Sequence, residues 1–228
     1  MSSAWRIARL VAAKDLRIEV RSRVVVNQVL PFAVIVMVMF AFALDSDAVL
    51  ERVAPGLVWL AVLFSLVVVV QRSFAVEVAD AALDALRVAG VRPAGIFLGK
   101  SMALGVQLLV LEAVLLVSAV VLYRAEVRPA GMLLLAVTAV SATTGLACIG
   151  TLYGGLASGA RGRDTLLPLL LLPVAAPVLI GATRATESAL GTGGATTGEG
   201  WPWIGLLALF AVAFGAGGSL AFGALVDE

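Results

Sequence analysis

Long apolar stretches separated by small groups of charges run through the chain from Val24 to Val226. Val24 to Leu44 lies between Arg23 and Asp45, and Val53 to Gln71 lies between Arg52 and Arg72. Ser101 to Tyr123 is interrupted only by Glu112, and Pro129 to Ala160 holds a fourth run plus a loop rich in Gly and Ser. Thr165 to Thr183 and Gly200 to Val226 complete the set. A run of about 20 apolar residues crosses the hydrocarbon core as a helix. None of the runs shows the alternating polar positions of a membrane β-barrel. The pattern predicts an all-α membrane protein, one domain over residues 1–228, with spans near 24–44, 53–71, 101–123, 130–153, 165–183 and 202–226. Gly191 to Gly200, with Thr192, Thr196 and Thr197 among glycines, reads as a flexible external loop.

Composition sharpens this reading. The chain is 61% hydrophobic and 14% charged, with a mean hydropathy of +1.08. The first apolar run is too long for a signal-peptide core and lacks a small-residue cleavage site, so no cleavable signal is expected. Orientation follows from Lys and Arg. Twelve precede the first span or fall in the second-to-third and fourth-to-fifth connections, against four (Arg52, Arg124, Arg128, Arg184) on the other side. Both termini are therefore expected to be cytoplasmic.

Several kinds of chemistry are missing. The chain has no histidine, which removes the usual haem axial ligand, metal ligand and general base. The single cysteine, Cys148, lies in an apolar span and reads as a packing residue. Gly95-Ile-Phe-Leu-Gly-Lys-Ser101 has three residues between its glycines where a phosphate-binding loop needs four, and it opens a membrane span. Gly95 and Gly99 read better as a smooth surface for close helix approach, with Lys100 marking the interface. No catalytic, cofactor-binding or metal-binding residue is assigned.

Four features could carry function. Val76 to Gly90 projects Glu77, Asp80, Asp84 and Arg87 onto one helical face, with Val78, Ala79, Ala82, Leu83 and Leu86 opposite, and Gly90 and Pro93 ending the helix. Anionic lipid repels such an acidic face, so it suits a basic protein surface; a helix that merely joins two spans is the plainer alternative. Trp5 to Arg23 is helix-compatible, with Ile7, Val11 and Ile18 on a face that Lys14 interrupts; an interfacial helix on the inner leaflet accounts for it. Glu112, alone in its span, is either a group on a substrate path or a buried carboxyl hydrogen-bonded to a neighbouring helix. In the last two spans, Pro168, Pro173 and Pro177 suggest kinks. Gly215, Gly217, Gly218, Ser219 and Gly223 suggest tight packing or a homodimer contact.

The chain resembles the haem-exporter B (CcmB) family, the permease subunit of the cytochrome c maturation system. The resemblance rests on Trp5-Arg-Ile-Ala-Arg-Leu10, Lys14-Asp-Leu-Arg-Ile-Glu-Val-Arg-Ser-Arg23 and Glu51-Arg-Val-Ala-Pro-Gly-Leu-Val-Trp59. It continues through Arg72-Ser-Phe74 with Glu77, Asp80 and Asp84, then Gly99-Lys100 and the proline-rich Leu166 to Thr183. Ala81 stands where the family pattern has glycine, and the last span carries no matching motif. The resemblance implies a non-catalytic subunit of an ATP-binding cassette complex in the inner membrane of a bacterium. Its partners would be a separate ATPase chain that uses the ATP, a haem-handling membrane protein that holds the haem, and a second permease copy, with no nucleic acid involved. On that view the helix at 76–90 resembles a coupling helix that receives the ATPase stroke through Glu77, Asp80, Asp84 and Arg87. The N-terminal segment resembles an interfacial elbow helix. Export of another apolar substrate, or a scaffold without transport, are the competing readings.

Overall fold

The computed structural model describes residues 4–44, 46–79, 85–86, 88–124, 127–158 and 163–227. Helix α1 (Ala4–Ser22) stands apart from the spans in composition, with its buried side limited to Ile7, Ala8, Val11 and Ala12. Arg23 then turns the chain through a left-handed backbone (φ 52°). One turn of wide π-helix, Val25–Val29, leads into α2 (Leu30–Ala43), with the Leu30 N–H donating to the Val25 carbonyl. Pro31, which has no N–H to give, follows at once. The Val25 N–H at the open start of this helix donates to Glu19 Oε1 at 2.6 Å, satisfying a donor the helix cannot.

Four long helices follow: α3 (Asp47–Ala79), α4 (Pro93–Tyr123), α5 (Met132–Ser158) and α6 (Arg163–Leu190). The chain closes with α7 (Thr197–Asp227). Among the described residues, six helices are long and apolar enough to cross a membrane, in the order and near the places the charge pattern predicts. α5 is the centre of the bundle, touching α3, α4, α6 and α7, while α2 packs at the side on α3 and α4. Trp59, Phe97, Leu108, Leu146 and Phe222 are among the large side chains sealed inside. Cross-helix hydrogen bonds pin this packing: Trp59 Nε1 donates to Thr186 Oγ1 at 2.9 Å, and Tyr123 OH donates to the Met37 carbonyl at 2.7 Å.

The structure lengthens the second to sixth expected spans. The second span is part of one helix from Asp47 to Ala79, so Val76–Ala79 continue α3 and do not begin a separate helix. No Gly or Pro separates Gln71 from Ala79, and nothing there interrupts the backbone ladder. The third span begins at Pro93, a residue preorganised for the first turn, and takes in Gly95 and Gly99. The Gly191–Gly200 loop shrinks to a short turn at Thr192–Gly194, because α7 starts at Thr197. Thr196 and Glu199 pair across that start, Thr196 Oγ1 donating to Glu199 Oε1 at 2.8 Å and the Glu199 N–H to the Thr196 carbonyl. α6 runs through Pro168, Pro173 and Pro177 as one helix.

The glycine stripe on α7 is spent largely inside the chain. Gly218 lies under the Phe97 ring, and a Cβ on Gly215 would stand 3.8 Å from Cys148 Sγ on α5. Gly217 faces open space.

Candidate functional site

α1 docks on α4 through the two glycines singled out in the sequence. A Cβ on Gly95 would stand 2.7 Å from Ile7 Cγ2, and one on Gly99 would stand 2.6 Å from both the Ala8 carbonyl oxygen and Val11 Cβ. Only glycine lets these backbones approach so closely. The helix that Gly95 and Gly99 admit is therefore the N-terminal one.

One turn beyond that contact, the interruption in the α1 apolar face finds its reason. Lys14 follows Val11 on the same face and reaches Glu77, two residues before the end of α3. Lys14 Nζ donates to Glu77 Oε1 at 2.5 Å. Lys100 of α4 comes to the same oxygen at 2.8 Å. Asp15 closes the group, 3.1 Å from Lys14 Nζ and 3.2 Å from Lys100 Nζ. Lys100 also donates to Ser73 Oγ at 3.4 Å and lies 4.9 Å from the centroid of the Phe74 ring. Two cations and two carboxylates thus meet where α1, α3 and α4 converge.

The junction is dry at its centre. The side chains of Glu77 and Lys100 are each 2% exposed, against 41% for Lys14. Lone charges at such a place are expensive; balanced and hydrogen-bonded ones are tolerated. Burial by itself lowers the Lys14 pKa, but the hydrogen bond to Glu77, helped by Asp15, outweighs it and leaves the ammonium above its ordinary 10.5. Beside the group lies a narrow crevice of about 40 Å³, lined in part by Asp15, Glu19, Arg72, Ser73, Glu77 and Gln107.

The expected site residues divide accordingly. Glu77 does not present an exposed acidic face; it is buried and committed to Lys14 and Lys100. The helix containing it packs at this depth, so its polar side meets α1 and α4. Asp80, Asp84 and Arg87 lie outside the described residues. Ala85 and Leu86, between Asp84 and Arg87, and Val88 just after are helical. This stretch ends as the sequence suggests, with Gly90 left-handed (φ 65°) and the Val91 N–H reaching back to the Leu86 carbonyl at 3.1 Å. Lys100, expected at an interface, is a core member of the junction.

Glu112 is a separate feature. It lies twelve residues beyond Lys100 on α4, about 18 Å at the helical rise. Its carboxyl is 2% exposed and accepts a hydrogen bond from Thr143 Oγ1 of α5 at 2.8 Å. Of the two sequence readings, the contact described is the helix-to-helix one. Among the described residues, no three His, Cys, Asp or Glu side chains gather in a group able to hold a metal.

The fold and this charged junction define a multi-pass helical membrane protein with an N-terminal helix locked to its bundle. Comparison with known sequences assigns the family: the CcmB protein family model matches residues 6–226, and the chain belongs to that family. It is similar to Heme exporter protein B of Haemophilus influenzae, 30% identical over 184 residues that make up 78% of this chain and 80% of the relative. Heme exporter protein B of Rhodobacter capsulatus is 32% identical over 177 residues, covering 75% and 78% respectively. The Escherichia coli K12 protein of the same name is 30% identical over 190 residues, covering 81% and 82%. No solved structure matches significantly.

Proposed function

We infer that this chain is the permease subunit of an ATP-driven haem exporter serving the maturation of c-type cytochromes. The observation that carries the reading is the family match across residues 6–226, with relatives named as haem exporters over most of their length. In this account the chain performs no catalysis. A separate ATPase chain hydrolyses ATP, a haem-handling membrane protein holds the haem, and a second permease copy completes the complex. The twelve-to-four distribution of Lys and Arg supports a cytoplasmic position for both termini and the α3–α4 connection. The ATPase then docks on that connection, where Asp80, Asp84 and Arg87 form its contact. α1, with Trp5, Arg9, Leu10 and Arg17 on its outer side, lies along the headgroups of the inner leaflet.

The chemistry of the chain suits a coupling part. The α3–α4 connection leaves α3 two residues after Glu77 and enters α4 at Pro93, two turns before Lys100, so a push on it bears on the two helices that carry the charged junction. The test is deletion of the chain in its native host, with covalent haem in c-type cytochromes read by haem staining. Loss of staining, restored by the chain on a plasmid, with an ATPase recovered on its purification, is the expected outcome. Normal staining in the deletion strain would refute the haem role and leave export of another apolar substrate as the better account.

A further inference from the structure

The contacts around the junction are of two physical kinds. α1 and α4 interlock sterically, through Ile7, Ala8 and Val11 against Gly95 and Gly99. α3 and α5 interlock in the same manner: a Cβ on Gly150 would stand 2.9 Å from Leu66 Cδ1 and Val70 Cγ2, and Gly154 faces Phe74 and Val70. Between these two pairs, at the end where Glu77 lies, α3 meets α1 through charge. Glu77 Oε1 takes both ammonium groups, from Lys14 and Lys100. Its second oxygen, Oε2, is buried with no hydrogen-bond partner among the described residues. Glu77 also lines the crevice of about 40 Å³, which has room for water by the usual requirement of about 10–15 Å³ per molecule.

Interdigitated side chains part only by losing their contacts outright. Paired charges part by exchanging one another for water, and the hydration regained offsets much of the attraction lost. A charged contact beside a crevice with room for water is therefore the easy line of separation at this end of the bundle, while further along α4 meets α5 through Leu104 beside Gly150. The Phe74 ring beneath Lys100 gives that ammonium a partner on the α3 side.

We propose that Lys14, Asp15, Glu77 and Lys100 form a hydratable seam along which α3 parts from the α1–α4 pair during the work cycle, making Glu77 and Lys100 positioning residues for energy transfer. This rests on the ATP-driven reading above. The seam is closed when the four charges pair and open when water enters from the crevice onto Glu77.

The test is a charge-balanced replacement, Glu77→Gln with Lys100→Met, in the full complex with its ATPase reconstituted in vesicles. Glu77→Gln alone leaves two ammonium groups to Asp15 and is expected to lower thermal stability. The double variant removes one charge of each sign and is expected to recover that stability and retain the ATPase. Its ATP-driven turnover should still fall at least about tenfold, because the buried ion pair that hydration would separate is gone. A structural role predicts the opposite, turnover recovering along with stability, and that result would overturn the proposal. A second arm covers a double variant that folds poorly. Ile18→Cys and Val76→Cys place thiols on α1 and α3 at two positions that both line the crevice and carry none of the four charges, and a short reducible cross-linker then closes the seam. Turnover should stop on closure and return on reduction; turnover indifferent to closure would reject the seam. An unmodified complex with no ATP-driven turnover would instead fail the transport reading itself, and the seam's role with it.

Discussion

Two ammonium groups directed at one carboxylate oxygen make Glu77 the residue on which the local electrostatics depend. The pairing has a definite pH signature through Lys14, whose pKa is raised above 10.5 in the folded chain. A raised basic group contributes stability that is fully present below its unfolded pKa and is lost as pH climbs through the folded one. Protection of α1 amides against hydrogen exchange should therefore hold constant from neutral pH to about the ordinary lysine value, 10.5, and fall only above it. A decline beginning near pH 8 would contradict the Lys14 assignment. For Glu112, the contact with Thr143 is met equally well by an amide oxygen. Glu112→Gln should alter thermal stability by less than about 1 kcal/mol, whereas Thr143→Val, which strands the acceptor, should cost about 1–3 kcal/mol. Cytochrome maturation lost in a stably folded Glu112→Gln variant would mark the carboxyl as functional.

At the scale of elements, the glycine pairs set which helices interlock. Gly99→Leu forces a side chain into the Ala8 carbonyl and Val11, where even a Cβ has 2.6 Å. It should cost about 1–3 kcal/mol and release α1 to limited proteolysis at Arg9 and Arg17, while Gly217→Leu, which faces open space, should leave the cleavage pattern unchanged. The elements themselves were largely legible in the sequence, since a charge-free run of span length has few alternatives in a bilayer. Their ends were less so, for identifiable reasons. Charges at Arg72 and Glu77 looked like a boundary, yet helices continue past charges and stop at backbone breakers, of which that stretch has none. The start of α7 was hidden by glycines, although Thr196 and Glu199 carry the spacing of a capping pair. The junction was hinted at only by Lys14 interrupting an apolar face. Its partners Glu77 and Lys100 are 63 and 86 residues away in sequence, and periodicity says nothing about contacts at that range.

For the whole molecule, six spans impose a simple rule: both ends of the chain emerge on one side. Reporter tags at the two termini should be accessible from the cytoplasm and protected from the periplasm, and a thiol placed at Arg184 should give the opposite result. Tags reporting opposite sides would remove one span from the count. The same architecture has a practical corollary. Cys148 is 5% exposed and packed behind Gly215, and the sequence holds no other cysteine. Water-soluble maleimides should pass over the intact protein, so any reporter thiol added at its surface will be read against a silent background. Once heat or detergent separates α5 from α7, that one sulfur should become reactive, giving the chain a built-in gauge of its own dismantling.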